Sequence, residues 1–266
     1  MKVLALAKYV PESTSNIRTK ADGSGIETAG IKNVMNPFCE FAVEAALQFK
    51  EKCPGAVAEI TVLTVGPAAA VDVIRTAYAM GVDHGLHLCD DAFNGIDEIA
   101  TARVIAAAVK DGGFEVIFGG KHAIDYDSGQ VGPALAEALN IPHVGAVTAI
   151  EWSGDFKSAT VRRRIEGAEE VVQVRLPALF TAEKGLCEPR YPSLPGLMKA
   201  KKRPVDTKNA AALGLSAADF SREKLGTWMG EFAPPPPRAA GRKLTGEPAE
   251  MAKELVRILH QEEKVI

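Results

Sequence analysis

Short apolar runs alternate with longer stretches whose apolar residues recur every three or four positions, from the N-terminus to about residue 140. Residues 3–7, 59–65, a short segment holding Leu86 and Leu88, and 116–118 are expected strands. Between them, Phe38, Phe41, Ala42, Ala45, Ala46 and Phe49 predict a helix that starts at Asn36-Pro37 and stops at Cys53-Pro54-Gly55. Val71, Ile74, Ala77 and Tyr78 mark a second helix over 68–80, closed by Gly81. Ile99, Ala102, Ile105, Ala106 and Val109 form the apolar face of a third over 96–110, ended by Gly112-Gly113. A fourth follows Ser128-Gly129-Gln130 and runs through Leu139. The polar segment 11–31, with Gly23, Gly25 and Gly30, is expected to be a long loop or hairpin. Strands alternating with helices predict a parallel sheet covered on both faces, a doubly wound, Rossmann-like α/β core.

Beyond Val144 the texture changes. Residues 147–152, 159–164 and 170–174 alternate as strands, with a turn at Ser153-Gly154-Asp155, and predict an antiparallel ribbon added to that core. Residues 176–181 supply a further core strand. Segment 182–204 is expected to be irregular, rich in proline and then in lysine. Residues 234–237 are four prolines, an extended spacer before an amphipathic helix over about 247–260 that carries Leu255, Ile258 and Leu259. The chain thus divides into an α/β domain over 1–205 and an extended C-terminal arm over 206–266, whose terminal helix suits docking on a partner better than packing in a core.

Composition narrows the function more than the fold. Hydrophobic residues are 47% and charged residues 24%, enough for a sizeable core, and aromatics at 6% leave that core to Val, Ile, Leu and Ala. A formal charge of −3 gives no reason to expect a nucleic acid partner. The N-terminal apolar run is short and has no cleavage site, so it is expected to be a buried strand. Cys39, Cys53, Cys89 and Cys187 are widely spaced, which predicts a reducing compartment rather than disulfides or a zinc site.

Candidate chemistry gathers at the carboxyl ends of the expected strands, where Lys8, Gly66 and Gly119-Gly120 lie. The stretch 114–140 joins a strand ending in glycines to a helix that begins with small polar residues. Free N–H groups in a first helical turn can cradle a phosphate; the same residues also suit a plain loop with Ser128 as N-cap. Asp125 and Asp127 can serve acid–base chemistry or hold Mg²⁺, or can bond ribose and backbone groups; with no partner nucleophile to name, the second use is better supported. His84 and His87 are expected to be structural, and His122 to sit in the loop within reach of a ligand. No GxSxG, HExxH, GxxxxGK[ST] or GxGxxG is present. Arg162-Arg163-Arg164 and the group Lys199, Lys201, Lys202 and Arg203 suit solvated charge, or a docking surface for an acidic partner.

Four blocks carry a resemblance to a known family: VMNPFCEFAVEAAL at 34–47, GPAAAVDVIRTAYAMGVD at 66–83, GGKHAIDYDSGQVGPALAE at 119–137 and LPALFTAEKGLCEPRYPSLPGLMKAKK at 176–202. In this order they resemble the beta subunit of electron-transfer flavoprotein, while the tail resembles it only loosely. The resemblance implies a heterodimer whose alpha subunit carries the redox-active FAD. It also implies an AMP without redox role in this chain, and no catalytic residues here. Carried over by position, the nucleotide contacts fall on Leu6, Asn36, Pro37, Phe38, Cys39 and Val65. They continue on Gly120, Lys121, His122, Ala123, Ile124, Asp125, Tyr126, Asp127, Ser128, Gly129, Gln130 and Val131. Segment 182–204 corresponds to the family's recognition loop, with Leu194 as its apolar anchor beside Tyr191 and Pro195. Its implied partners are flavin-containing dehydrogenases such as acyl-CoA dehydrogenases, and a quinone oxidoreductase or other acceptor downstream. The implied compartment is the bacterial cytoplasm or the mitochondrial matrix. Mammalian members carry an acidic residue where Arg164 stands, so a salt bridge from that position to the alpha subunit is not carried over. Bifurcating members bind a second FAD in the same cleft and use NAD(H); Phe38-Cys39-Glu40 and EPRYPSLP are closer to the AMP-binding kind. A stand-alone nucleotide-binding α/β protein is the alternative from another class, and it would need neither the recognition loop nor the arm.

Overall fold

The first apolar run becomes strand β1 (Lys2–Leu6), which the computed structural model places at the middle of a nine-stranded sheet. The structure describes residues 1–238 and 240–266. After β1 come β2 (Tyr9–Pro11), β3 (Asn33–Met35), α1 (Pro37–Lys52), β4 (Glu59–Val65), α2 (Val71–Met80) and β5 (His84–Leu88). Next are α3 (Glu98–Val109), β6 (Phe114–Gly120), α4 (Val131–Leu139), β7 (His143–Trp152), β8 (Ser158–Ile165), β9 (Ala168–Arg175) and β10 (Ala178–Ala182). The chain ends with α5 (Leu194–Ala200), β11 (Asp206–Lys208) and α6 (Pro248–Arg257). The strand order is β11-β5-β4-β1-β6-β10-β7-β8-β9, parallel from β11 to β7 and antiparallel at β8 and β9.

The inner parts of the central strands, Val3–Leu6 and Val116–Phe118, are apolar on successive residues because both faces are covered, as parallel sheets require. Val3, Ala5 and Ala7 pack into the cluster under α1 and α2, whereas Leu4 and Leu6 join the one under α3 and α4. From β1 the chain first builds outward through β4 and β5, then crosses to β6 on the other side. That reversal opens a crevice at the carboxyl ends of β1, β4 and β6, the place where doubly wound sheets bind ligands. The ribbon of β7, β8 and β9 is held to this core by Trp152. Its ring stacks on Phe49 of α1 at 3.9 Å and meets Phe118 and Phe180 edge-on.

Several expectations are corrected. Ile99 does not face the core and is 47% exposed. The buried cap Asp97 fixes the first turn of α3 so that Ala100, Val104 and Ile105 point inward instead. Segment 182–204 is not wholly irregular, because α5 lies within it. Ser193 caps that helix by accepting a hydrogen bond from the Gly196 N–H at 3.1 Å, and Pro195 stands in its first turn. The sheet takes β11 from residues just past 205, and Phe220 packs edge-on against Phe93 at 5.5 Å. The α/β body therefore continues beyond the expected boundary, since β11 covers the otherwise open edge of β5. The expected hairpin over 11–31 returns on itself through β2–β3 pairing and a Thr19–Ile26 bridge. No residue of α6 is buried, and Leu255 and Val256 are 48% and 56% exposed. No helix among the described residues is long and apolar enough to cross a membrane.

Candidate functional site

A cavity of about 330 Å³ occupies the crevice. Its apolar floor is formed by Leu6, Leu63, Val65 and Ile105, and its rim by the loop between β6 and α4. The two glycines that end β6 serve different purposes. A Cβ on Gly119 would meet only ordinary contacts, the nearest at 3.5 Å. A Cβ on Gly120 would stand 2.9 Å from the carbonyl carbon and Cβ of Phe38 and 3.0 Å from the Cys39 nitrogen. Gly120 is needed so that the first turn of α1 can close against β6, and this approach forms one wall of the cavity.

Asn36 then ties that turn to the loop. It is 1% exposed and starts α1 without capping it. Its side-chain amide donates to the His122 carbonyl at 2.8 Å, and its Oδ1 accepts from the Ile124 N–H at 3.2 Å. The loop ends in a left-handed pair, Asp127 at φ 55° and Gly129 at φ 62°. This turns the amides of Gly129, Gln130, Val131 and Gly132 forward, and none of them has an acceptor among the described residues. Free donors at the positive end of α4 suit an anion.

Side-chain charges around the cavity are already paired. Lys8 Nζ reaches both Asp125 oxygens at 2.8 and 2.9 Å and lies over the Tyr126 ring. Lys121 Nζ bonds Glu183 at 2.7 Å, and His122 Nδ1 meets Asp127 at 2.9 Å. Burial pushes the Glu183 carboxyl up, but Lys121 and the Lys184 N–H together outweigh it and hold the group below its ordinary range. Burial likewise pushes up the Cys39 thiol, which favours an unreactive, protonated side chain. Asp125 and Asp127 each serve a different base, as expected of loop walls rather than an acid–base pair. Among the described residues no cluster of His, Cys, Asp and Glu is arranged to hold a metal.

Fourteen of the eighteen expected contacts line the cavity: Leu6, Asn36, Cys39, Val65, Gly120, Lys121, His122, Ala123, Asp125, Tyr126, Ser128, Gly129, Gln130 and Val131. Pro37, Phe38, Ile124 and Asp127 do not line it: Pro37 and Asp127 are exposed, and the Phe38 ring meets His122 edge-on at 4.1 Å. The alternative of Ser128 as N-cap is not realised. Gln130 occupies that position without a side-chain bond, and Ser128 Oγ donates to Glu98 at 2.8 Å across the cavity mouth. Phe93, Asn94, Gly95 and Ile96, between β5 and α3, and Glu98 and Thr101 in the first turn of α3 also line the cavity and were absent from the expectation. Their signal was Asn94-Gly95 after a short strand, since β5 ends on the same side of the sheet as β1, β4 and β6. His87 and His84 are structural: His87 Nε2 lies 3.1 Å from the Gly66 carbonyl, and His84 lies 3.3 Å from Glu59. Away from the cavity, Tyr191, Leu194 and Met198 are 97%, 79% and 72% exposed on and beside α5.

The electron transfer flavoprotein domain family matches residues 24–213. "Electron transfer flavoprotein subunit beta" of Bacillus subtilis is 44% identical over 242 residues, 91% of each chain. The protein of that name from Syntrophomonas wolfei is 40% identical and covers 100% of this chain and 98% of its own. The one from Bos taurus is 38% identical over 92% of both.

Proposed function

Since the chain belongs to the electron transfer flavoprotein family, as a beta subunit, we propose that it forms a heterodimer with an alpha subunit and holds AMP in its cavity. The observation that carries the nucleotide reading is the fan of free amides at the N-terminus of α4 above an apolar floor. The floor takes a planar base, the amides take one phosphate, and Ser128 with Glu98 closes the mouth beside the ribose. A cavity of about 330 Å³ is at the small end of ligand sites and suits a mononucleotide. The FAD, held mainly by the alpha subunit, supplies the electron storage. This chain contributes the rigid nucleotide-filled half of the assembly and the surface that meets electron donors. Exposed Leu255 and Val256 on α6 support an arm that docks on the alpha subunit. The bacterial cytoplasm or the mitochondrial matrix is the compartment that fits such a complex.

The test is to purify the heterodimer, denature it and separate the released nucleotides. Equimolar FAD and AMP are expected. A second FAD in place of AMP would replace this reading with that of a bifurcating beta subunit, and no nucleotide at all would overturn both.

Electron donors, flavin-containing dehydrogenases such as acyl-CoA dehydrogenases, are proposed to dock on Leu194, flanked by Tyr191 and Pro195. One exposed leucine with a basic rim can anchor a small, transient interface. Leu194→Ala is expected to raise the KM for the heterodimer in dehydrogenase turnover by roughly tenfold, the size of a modest hot spot. Thermal stability and AMP content should not change, because the side chain is 79% exposed. An unaltered KM would exclude Leu194 as the anchor. Downstream, a quinone oxidoreductase or another acceptor would take the electrons.

A further inference from the structure

A buried carboxylate in the middle of α1 has no part in the cavity. Glu44 is 3% exposed, and taking a charge out of water is costly unless its oxygens are fully bonded. Its oxygens accept from Arg190 three times: Nε at 2.8 Å, Nη2 at 2.9 Å and the backbone N–H at 3.2 Å. A fourth bond comes from Gln48 at 3.0 Å. Two helical turns further along, Glu51 takes Nη1 and Nη2 of the same guanidinium at 2.7 and 2.9 Å. Burial pushes the Glu44 carboxyl up, and the bonds from Arg190 and Gln48 together outweigh it. One face of α1 is thus devoted to a single arginine, the residue just before exposed Tyr191.

The far end of the segment is held in a similar way. Arg203 donates to the carbonyls of Val82 at 2.8 Å and of Asp83, and lies over the Tyr78 ring at 3.9 Å. Between the two arginines α5 sits close on α2, so that a Cβ on Gly196 would stand 3.0 Å from the Ala79 carbonyl oxygen. Tyr191, Leu194 and Met198 are therefore displayed on a segment fixed at both ends, although none of the described residues covers them.

We propose that Arg190 is a positioning residue for electron-transfer docking: clamped by Glu44 and Glu51, it pre-orders the segment that carries the apolar anchor. This rests on the docking role of Leu194 given above. Ordering exposed side chains and a loop only upon binding weakens association, and a clamp set beforehand removes that cost.

The test uses the purified heterodimer reduced by an acyl-CoA dehydrogenase, with the heterodimer concentration varied. Arg190→Gln is expected to raise KM about tenfold, as one or two side chains lose their order. It should leave kcat, FAD and AMP content unchanged, and Arg190→Lys, which can still bond one carboxylate, should fall between. The pair Glu44→Gln with Arg190→Gln removes the buried carboxylate together with its partner and should show the same KM, which separates docking from folding. Amide exchange over residues 188–204 should quicken in each variant while the cavity loop 120–131 is unaffected. If Leu194→Ala raises KM but the Arg190 variants do not, this proposal is overturned and the docking role of Leu194 stands. If neither raises it, the docking reading fails as well. Unchanged exchange over 188–204 overturns the clamp irrespective of turnover.

Discussion

Gly120→Ala is expected to purify with little or no bound nucleotide, while Gly119→Ala retains it. The two residues are neighbours at the end of β6 and differ only in what a methyl group would meet. At 119 it would rest 3.5 Å from the Leu6 side chain, an ordinary contact. At 120 it would press on the backbone of Phe38 and Cys39 at 2.9 to 3.0 Å, where no rotamer change can relieve it. The first turn of α1 must move away from β6, and with it Asn36, whose side chain holds the loop at His122 and Ile124. Forcing an extra methyl into a packed contact costs about 1–3 kcal/mol. If that strain is relieved only by opening the cavity, affinity falls by roughly ten- to a hundredfold. Nucleotide released on denaturation, compared between the two variants, is the measurement. Full nucleotide content in Gly120→Ala would show that the approach of α1 to β6 does not build the site.

Asp97→Ala is expected to destabilise the fold and to release the root of the C-terminal arm. The Asp97 carboxylate caps α3 through the Ala100 N–H at 2.7 Å. Its other oxygen accepts from Gly226 at 2.7 Å and Thr227 at 3.1 Å, fastening the root of the C-terminal arm. Losing the cap costs about 1 kcal/mol, and losing the charged acceptor of the Gly226 and Thr227 amides adds about 1.5–3 kcal/mol. For a chain of this size the sum lowers Tm by roughly 10 °C. Asp97→Asn keeps an acceptor for the helix and should lose less.

The pH dependence has a definite sign. Burial alone would push the Asp97 carboxyl up, but the amides of Ala100, Thr227 and Gly226 outweigh it and hold the folded value below the ordinary range. Its contribution is therefore complete above the unfolded value of about 3.9 and is lost as pH falls through the lower folded value. The gap in Tm between Asp97→Ala and the unaltered protein should narrow in acid. A gap that stays constant would mean that the charge is not what the arm root binds.

The expected strand ends and the observed cavity coincide for a simple reason. Parallel strands feeding helices all end on one face, so Lys8, Gly66 and Gly119-Gly120 had to meet once the alternation was read correctly. Charge pairing across the cavity was different. Nothing near Lys8 in the sequence points to Asp125, and nothing near Ser128 points to Glu98, because these pairs form only after β1, α3 and β6 are brought together. Ile99 shows the same limit on a smaller scale. Its spacing suited the apolar face, but the inward direction of α3 is fixed by Asp97 and its distant partners at 226–227.

By itself, then, the sequence determined the elements, the parallel α/β class, the loop that surrounds the cavity and the family to which the chain belongs, since each depends on residues close together in the chain. The tertiary structure alone decided what those elements do to one another. It assigned Gly120 the task of admitting α1 and gave the buried Glu44 to Arg190. It also brought β11 to the sheet edge and left the amides of Gly129 to Gly132 without acceptors among the described residues. Each of these is a contact between segments far apart in the chain, and hydrophobic periodicity carries no record of which segment will be opposite.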